Sequence, residues 1–196
     1  MNINNTFGVI LVILGCCFGW WLGDKINHQC KMTVSIPISQ SYVVAFAPSY
    51  GGIDPLTVIV QALKGATNSI LMQCYGFTSQ PIAQALVAAK QRGVNVQIIA
   101  DPSGEGSCLN YCQTNGIICL LDKTHKIAHN KLLIIDNLLV INGSYNFTSS
   151  AESHNAENIL LTPNGLLANQ YTSNWFLHAK HSIVNGTAIS KERRRK

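Results

Sequence analysis

The chain is 196 residues long, 47% hydrophobic and only 12% charged. That leaves room for one domain with an appendage, and it excludes a second catalytic domain or a disordered chain. The formal charge of +5 sits at the C-terminus: residues 191–196 (KERRRK) hold five bases and one acid, and the other 190 residues sum to +1. Net charge therefore gives no ground for a basic nucleic-acid-binding face.

The apolar excess lies at the N-terminus. No charged side chain occurs in residues 1–23, and residues 7–23 (FGVILVILGCCFGWWLG) are continuously apolar or small. Such a stretch is at the lower limit for a membrane-spanning helix and slightly above a signal-peptide core, and both readings stay open. The absence of a basic start and the pair Trp20-Trp21 favour an uncleaved anchor or a poorly cleaved signal. Ile13-Leu14-Gly15-Cys16 loosely resembles a lipoprotein cleavage box. Lys25 and Lys31 argue for a cytoplasmic body under the positive-inside rule, whereas an export signal argues the reverse. The expected organisation is a signal or anchor at 1–24, a linker at 25–40, a catalytic domain at 41–182 and a basic tail at 183–196.

In the body, residues 41–48 (SYVVAFAP) read as a short strand. Asp54-Pro55 then supplies a helix cap and a proline at the first helical position, with the helix running to about residue 66. Residues 69–77 form a second strand. Residues 79–92 place Ile82, Leu86, Val87 and Lys90 at helical spacing before Gly93 ends the helix. Residues 95–101 (NVQIIAD) return as a buried strand, completing a βαβ unit with parallel strands and a right-handed crossover. A short helix at about 107–115 and a strand at 117–122 follow. Residues 131–136 (KLLIID) and 138–142 (LLVIN) then form a hairpin turning at Asp136-Asn137. A last strand covers 156–162, and an amphipathic helix over 165–182 puts Leu166, Tyr171, Trp175, Phe176 and Ala179 toward the core. The fold class is α/β: a mixed sheet flanked by helices, preceded by an N-terminal apolar helix.

Seven cysteines include Cys16 and Cys17 in the apolar segment and Cys30, Cys74, Cys108, Cys112 and Cys119 in the body. An exported body could pair four of the latter. Cys108, Cys112 and Cys119 with His125 invite a zinc reading, but the spacing matches no standard knuckle, and buried or disulfide-bonded thiols are the plainer expectation.

Chemistry concentrates in residues 129–158, HNKLLIIDNLLVINGSYNFTSSAESHNAEN. On strands, side chains two apart face the same way, so His129 and Lys131 project together, as do Ser144 and Asn146. An imidazole, an ammonium, a hydroxyl and a carboxamide on one hairpin suit a phosphate, provided the register aligns the two pairs. Glu157 follows on the last strand, where it could fix the tautomer of His129.

In these residues the chain resembles the phospholipase D superfamily, whose signature is HxKxxxxD followed by GSxN. His129, Lys131 and Asp136 match the first part without a gap, and Gly143, Ser144 and Asn146 match the second, with NAEN downstream. The resemblance runs from about residue 41 to 175. It is nearest the small single-motif members, the Nuc-type endonucleases and short rickettsial-type phospholipases D. It implies that His129 is a nucleophile forming a phosphohistidine, that Lys131 and Asn146 hold phosphate oxygens, that Ser144 assists and that Glu157 orients His129. Asp136, counted with the catalytic residues by its motif position, is expected to brace the site from the turn. It further implies a homodimer whose twofold axis brings a second His129 into a shared site, with no metal and no cofactor required.

The other histidines read blandly: His125 and His154 as surface or neighbouring groups, His178 and His181 as one solvated helix face. Lys64, Lys90 and Arg92 lie late in their helices, where the dipole explains them. The expected activity is phosphodiester hydrolysis, on phospholipid or on nucleic acid, by a membrane-anchored or exported enzyme. The competing reading is a catalytically inactive, membrane-anchored binding or assembly module with the same fold.

Overall fold

A computed structural model describes residues 42–104 and 106–185. The apolar N-terminal segment, Cys16, Cys17, Cys30, the 25–40 linker and the KERRRK tail lie outside the described residues. Among the described residues no helix is long and apolar enough to cross a membrane.

The elements alternate as β1 (Val43–Ala47), α1 (Pro55–Gly65), β2 (Ser69–Cys74), α2 (Gln80–Gln91), β3 (Asn95–Ala100), α3 (Ser107–Thr114), β4 (Ile118–Leu121), β5 (Lys131–Ile135), β6 (Leu139–Gly143), α4 (Ser149–Ser153), β7 (Glu157–Pro163), α5 (Gly165–His181) and β8 (Ile183–Val184). They build one eight-stranded mixed sheet in the order β1-β7-β6-β5-β2-β3-β4-β8. β2, β3 and β4 run parallel, and β5 returns antiparallel to β2. The expected hairpin and βαβ unit are both present.

Local chemistry explains the boundaries. Asp54 caps α1 by accepting from the Thr57 amide at 2.8 Å, with Pro55 opening the helix. Gly93 leaves α2 at φ +95°, a conformation that costs other residues a steric penalty. Arg92 reaches across to the carbonyls of Leu63 and Ala66 at 3.0 and 3.3 Å, closing the C-terminal end of α1. At the β5–β6 turn Asp136 and Asn137 have φ of 54° and 52°, the left-handed pair a two-residue turn of this twist requires.

β5 is apolar at every position after Lys131 because the sheet is covered on both faces. Leu133 and Ile135 pack under α1, α2 and α3 in the main core. Leu132 and Ile134 face the other way, toward Ala168 and Trp175 of α5. Trp175 is fully buried and donates its indole N–H to the Met72 carbonyl at 2.9 Å, tying α5 to the middle of the sheet.

The structure departs from the sequence reading in three places. Leu166 and Phe176 are 80% and 47% exposed and are not core, because Ala168 and Trp175 are the residues of α5 that are buried against the sheet. α4 supplies an unexpected turn of helix after β6, capped by the Thr148 hydroxyl on the Ala151 amide. The sheet continues past residue 182, since β8 pairs antiparallel with β4 and the Asn185 amide donates to the Cys119 carbonyl. Of the two plain expectations for the cysteines, buried thiols or disulfides, the first holds for Cys74, Cys108, Cys112 and Cys119, which are buried and free. Burial pushes the thiols up, that of Cys119 to about 12, so they are inert packing groups.

Candidate active site

Strand direction gathers the motif at one end of the sheet. The parallel strands β2 and β3 end there, at Cys74 and Ala100. Because β5 runs antiparallel to β2, its first residue, Lys131, stands opposite Cys74. β6 returns to the same end and finishes at Gly143, and β7 begins there with Glu157, opposite Ala47 of β1. His129, Lys131, Ser144 and Glu157 therefore meet where β1, β2, β3 and β6 end and β5 and β7 begin.

His129 is exposed at the mouth of this end, with its ring against Tyr75 at 4.8 Å between centroids. The Tyr75 amide donates to the Asn130 carbonyl at 3.1 Å, so the tyrosine just past β2 is clamped to the chain that carries the histidine. Lys131 donates its ammonium to the His129 carbonyl at 2.9 Å and sits 5.5 Å from the Tyr75 ring centroid. Burial draws the Lys131 pKa down, offset in part by the Glu157 carboxylate. A partly desolvated ammonium held near a carboxylate, with no direct ion pair among the described residues, attracts a phosphate oxygen more strongly than a surface lysine.

Ser144 does not follow from simple strand alternation. Lys131 is level with Gly143, and the chain then bulges: the amides of Ser144 and Tyr145 both point at the Asn158 carbonyl, at 3.1 and 3.4 Å. The bulge turns the Ser144 hydroxyl to Glu157, which it reaches at 2.5 Å, while the Asn158 amide donates to Ser144 Oγ at 3.1 Å. A glycine must precede the bulge, since a Cβ on Gly143 would lie 2.2 Å from the Asn158 carbonyl oxygen. Asn146 is placed against Gly76, next to Tyr75, and its Oδ1 is buried without a protein hydrogen bond. A phosphate oxygen would be met by the Nδ2 group of this carboxamide, which donates, whereas the buried Oδ1 only accepts and has no donor among the described residues.

Two expectations need correction. Glu157 does not hold His129: its carboxylate is engaged by the Ser144 hydroxyl and, at 2.9 Å, by the Asn155 side-chain Nδ2. Its place at the first residue of β7 directs it to the β6 bulge, so it positions Ser144. Asp136 is not in the site, because it lies at the other end of β5, roughly 16 Å along a strand that rises about 3.3 Å per residue. There it accepts from the Thr67 amide and hydroxyl and from the Asn68 and Ser69 amides, at 2.7 to 2.9 Å. Burial raises its pKa, but these four bonds outweigh that and hold the carboxyl below the usual range. It pins the loop between α1 and β2.

Sequence reading missed two groups. Tyr75 forms a wall of the site; its position just beyond a parallel strand, where α/β sheets place ligands, was the available signal. Asp101, 5% exposed at the end of β3, accepts from the Ala128 amide at 2.8 Å and from Ser103, fixing the chain immediately before His129. Burial raises its pKa, and the Ser103 hydroxyl and the two amides bring it below normal. The proposed zinc set of Cys108, Cys112, Cys119 and His125 does not form either: His125 turns to Asp122 instead.

Beside His129 and Lys131 lies a cleft of about 420 Å³, floored by Leu132, Asn142 and Leu160 and flanked by Tyr171. The same sheet face continues onto β1 and β7 as an apolar surface, with Val44 40%, Phe46 59% and Leu160 39% exposed.

Comparison with known proteins agrees with this arrangement. The family described as "Cardiolipin synthase, PLD-like domain" matches residues 59–180. A phospholipase D of Rickettsia typhi is 45% identical over 130 residues, covering 65% of this chain and 64% of that protein. The chain thus spans just under two thirds of that relative's length. A phospholipase D of Rickettsia felis is 42% identical over 154 residues, covering 77% of this chain and 74% of the relative. Among solved structures, the phospholipase D family member Nuc from Salmonella typhimurium superposes with a TM-score of 0.69 at 33% identity, over 74% of this chain and 97% of Nuc. On the family match, the shared architecture and the HxKxxxxD and GSxN residues together, the chain belongs to the phospholipase D-like family.

Proposed function

We propose that the chain hydrolyses the phosphodiester bond of a phospholipid headgroup in two phosphoryl-transfer steps. The observation that carries this reading is the convergence of His129, Lys131, Ser144 and Asn146 at one sheet end, beside a cleft lined by Leu132, Leu160 and Tyr171 as well as Asn142 and Asn158, and continuous with the exposed apolar strip of Val44 and Phe46. In the first step a ring nitrogen of His129 attacks phosphorus, the bond to the headgroup oxygen breaks, and a protonated imidazole gives that oxygen its proton. In the second, the same imidazole takes a proton from water, the water oxygen bonds to phosphorus and the phosphorus–nitrogen bond breaks. Lys131 and the Asn146 carboxamide hold the non-bridging oxygens, and the Ser144 hydroxyl, oriented by Glu157, adds a donor.

One chain carries one such motif, so the second imidazole comes from a second copy, and the working enzyme is a homodimer with a shared site. The exposed apolar strip of Val44, Phe46 and Leu160, continuous with the cleft, supports both a neighbouring copy and acyl chains nearby. The charge-free residues 1–23 support a membrane-anchored or exported protein held near lipid. The near-neutral body favours lipid over nucleic acid, because affinity for duplex comes mostly from neutralised phosphates.

The test offers the protein phosphatidylcholine and cardiolipin vesicles, plasmid DNA and bis(p-nitrophenyl) phosphate in parallel, with His129→Ala as control. Headgroup release that vanishes in the variant is expected. DNA nicking without lipid hydrolysis would make the protein a nuclease, and silence on every substrate would leave a binding module.

A further inference from the structure

The loop leaving β4 and the last turn of α5 meet around one carboxylate. Asp122 has no solvent-exposed side-chain surface, yet its Oδ2 lies 2.9 Å from His125 Nδ1, 3.0 Å from His178 Nδ1 and 3.3 Å from His181 Nε2. One ligand atom from each of these four residues can be chosen so that all lie within 4.8 Å of one another. The three imidazoles are mutually packed, with ring centroids 5.0 to 5.3 Å apart. The other oxygen of Asp122 accepts from the Thr124 amide at 3.1 Å and the His125 amide at 3.4 Å and lies 3.2 Å from His125 Nδ1, while Oδ2 alone faces His178 and His181.

A hydrogen-bonded knot closing the C-terminal end of α5 is the simplest alternative, and histidines are favourable there. It explains less well why three ring nitrogens lie within 3.3 Å of one oxygen, even with His125 Nδ1 shared with Oδ1 at 3.2 Å, since that oxygen has lone pairs for two donors in its plane. A metal ion removes the crowding, because each nitrogen and the oxygen then offers a lone pair to a common centre. With bonds of about 2.0–2.1 Å, the edge of a tetrahedron is roughly 3.3 Å, so the three oxygen–nitrogen separations need only small adjustments. The sequence has the corresponding form: Asp122-x2-His125 on one side and His178-x2-His181 on the other, the latter three apart and hence on one helix face. Two short-spaced ligand pairs brought together by the fold is how zinc sites are commonly assembled. Three imidazoles and one carboxylate suit zinc, cobalt or nickel and not the oxygen-seeking magnesium or calcium.

We propose that Asp122, His125, His178 and His181 form a tetrahedral site for a divalent transition metal, best fitted by Zn²⁺, which ties the loop that delivers His129 to the end of α5. Four protein ligands leave no open position, so the ion is structural and takes no part in phosphoryl transfer. Its effect on the active site is positional. The chain runs from Asp122 through Ala128, held by Asp101, directly to His129. The histidines retain 20% to 46% exposure, so an ion can enter from solvent.

The test uses untagged full-length protein, stripped with a chelator and dialysed, and does not depend on the proposed activity. Cobalt is titrated in and followed by its visible d–d absorption, zinc is then used to displace it, and bound metal is counted by mass spectrometry. One equivalent per chain with a tetrahedral cobalt band is expected. With free zinc a thousandfold above the measured Kd, the melting midpoint should rise by roughly 8–16 °C. His178→Gln with His181→Gln should lose the band and the shift, whereas the exposed His154→Gln should keep both. If the double variant does not fold, the single His181→Gln variant should bind zinc more weakly than the unmodified chain. Sub-stoichiometric uptake, an octahedral cobalt spectrum, unchanged affinity in His181→Gln, or a melting shift that survives in the double variant would each overturn the proposal.

Discussion

Replacing Asp136 with asparagine separates the two roles this motif residue could have. The carboxylate takes four hydrogen bonds from Thr67, Asn68 and Ser69, all at the end of β5 remote from His129. Asparagine tolerates the φ of 54° and keeps one oxygen, which can still accept from Asn68 and Ser69. It turns an amide toward the donors of Thr67 and removes the charge from the rest. Bonds to a charged acceptor contribute about 1.5–3 kcal/mol each, but the Thr67 donors are solvent-exposed and recover water, so the net loss is about 2 kcal/mol. For a domain of this size that lowers the melting midpoint by roughly 4–8 °C. The pH dependence has a definite sign. A carboxyl held below its unfolded value stabilises the fold above that unfolded value, about 3.9, and the contribution disappears as pH falls through the folded value. The gap between wild type and Asp136→Asn should be constant from pH 6 to 8 and close below about pH 4. Thermal melts across pH, with turnover per folded molecule at 25 °C, decide the matter. Equal midpoints at pH 7, a gap that persists in acid, or a large fall in turnover of the folded variant would refute the bracing role.

Two further substitutions probe the site itself. Gly143→Ala puts a methyl group 2.2 Å from a backbone oxygen of β7, so it should cost about 2–3 kcal/mol and lower the midpoint by roughly 4–12 °C, with turnover falling at least about tenfold as Ser144 and Glu157 separate. An unchanged melt with full activity would show that the bulge is not needed. Tyr75→Ala removes the ring that His129 and Lys131 pack against, a contact worth about 1–2 kcal/mol, and should lower kcat roughly 5- to 30-fold, while Tyr75→Phe stays near wild type. An equal loss in both would assign the effect to the hydroxyl.

Much of this fold was legible because its signals are local. The apolar run of β5, the cap at Asp54, the stop at Gly93 and the turn at Asp136-Asn137 each depend on a few neighbouring residues. The signature residues were legible for the same reason, as fixed short spacings. What escaped depends on distant parts of the chain meeting. Asp122 and His178 are 56 residues apart, and each half of their cluster reads alone as ordinary surface. Asp101 reads as the end of a strand until the Ala128 amide reaches it. Glu157 reads as a partner of His129 from its place on the last strand and from the family resemblance, but the bulge after Gly143 interposes Ser144, and a bulge leaves little mark on side-chain alternation. β8 was invisible because two residues carry no period.

The central claim is that His129 bonds covalently to phosphorus. Rapid acid-free quenching of turnover, followed by peptide mass spectrometry, should find the substrate's phosphoryl group on the peptide containing His129, and none on the His129→Ala protein. Turnover with no adduct, or with the adduct on another residue, would contradict the account.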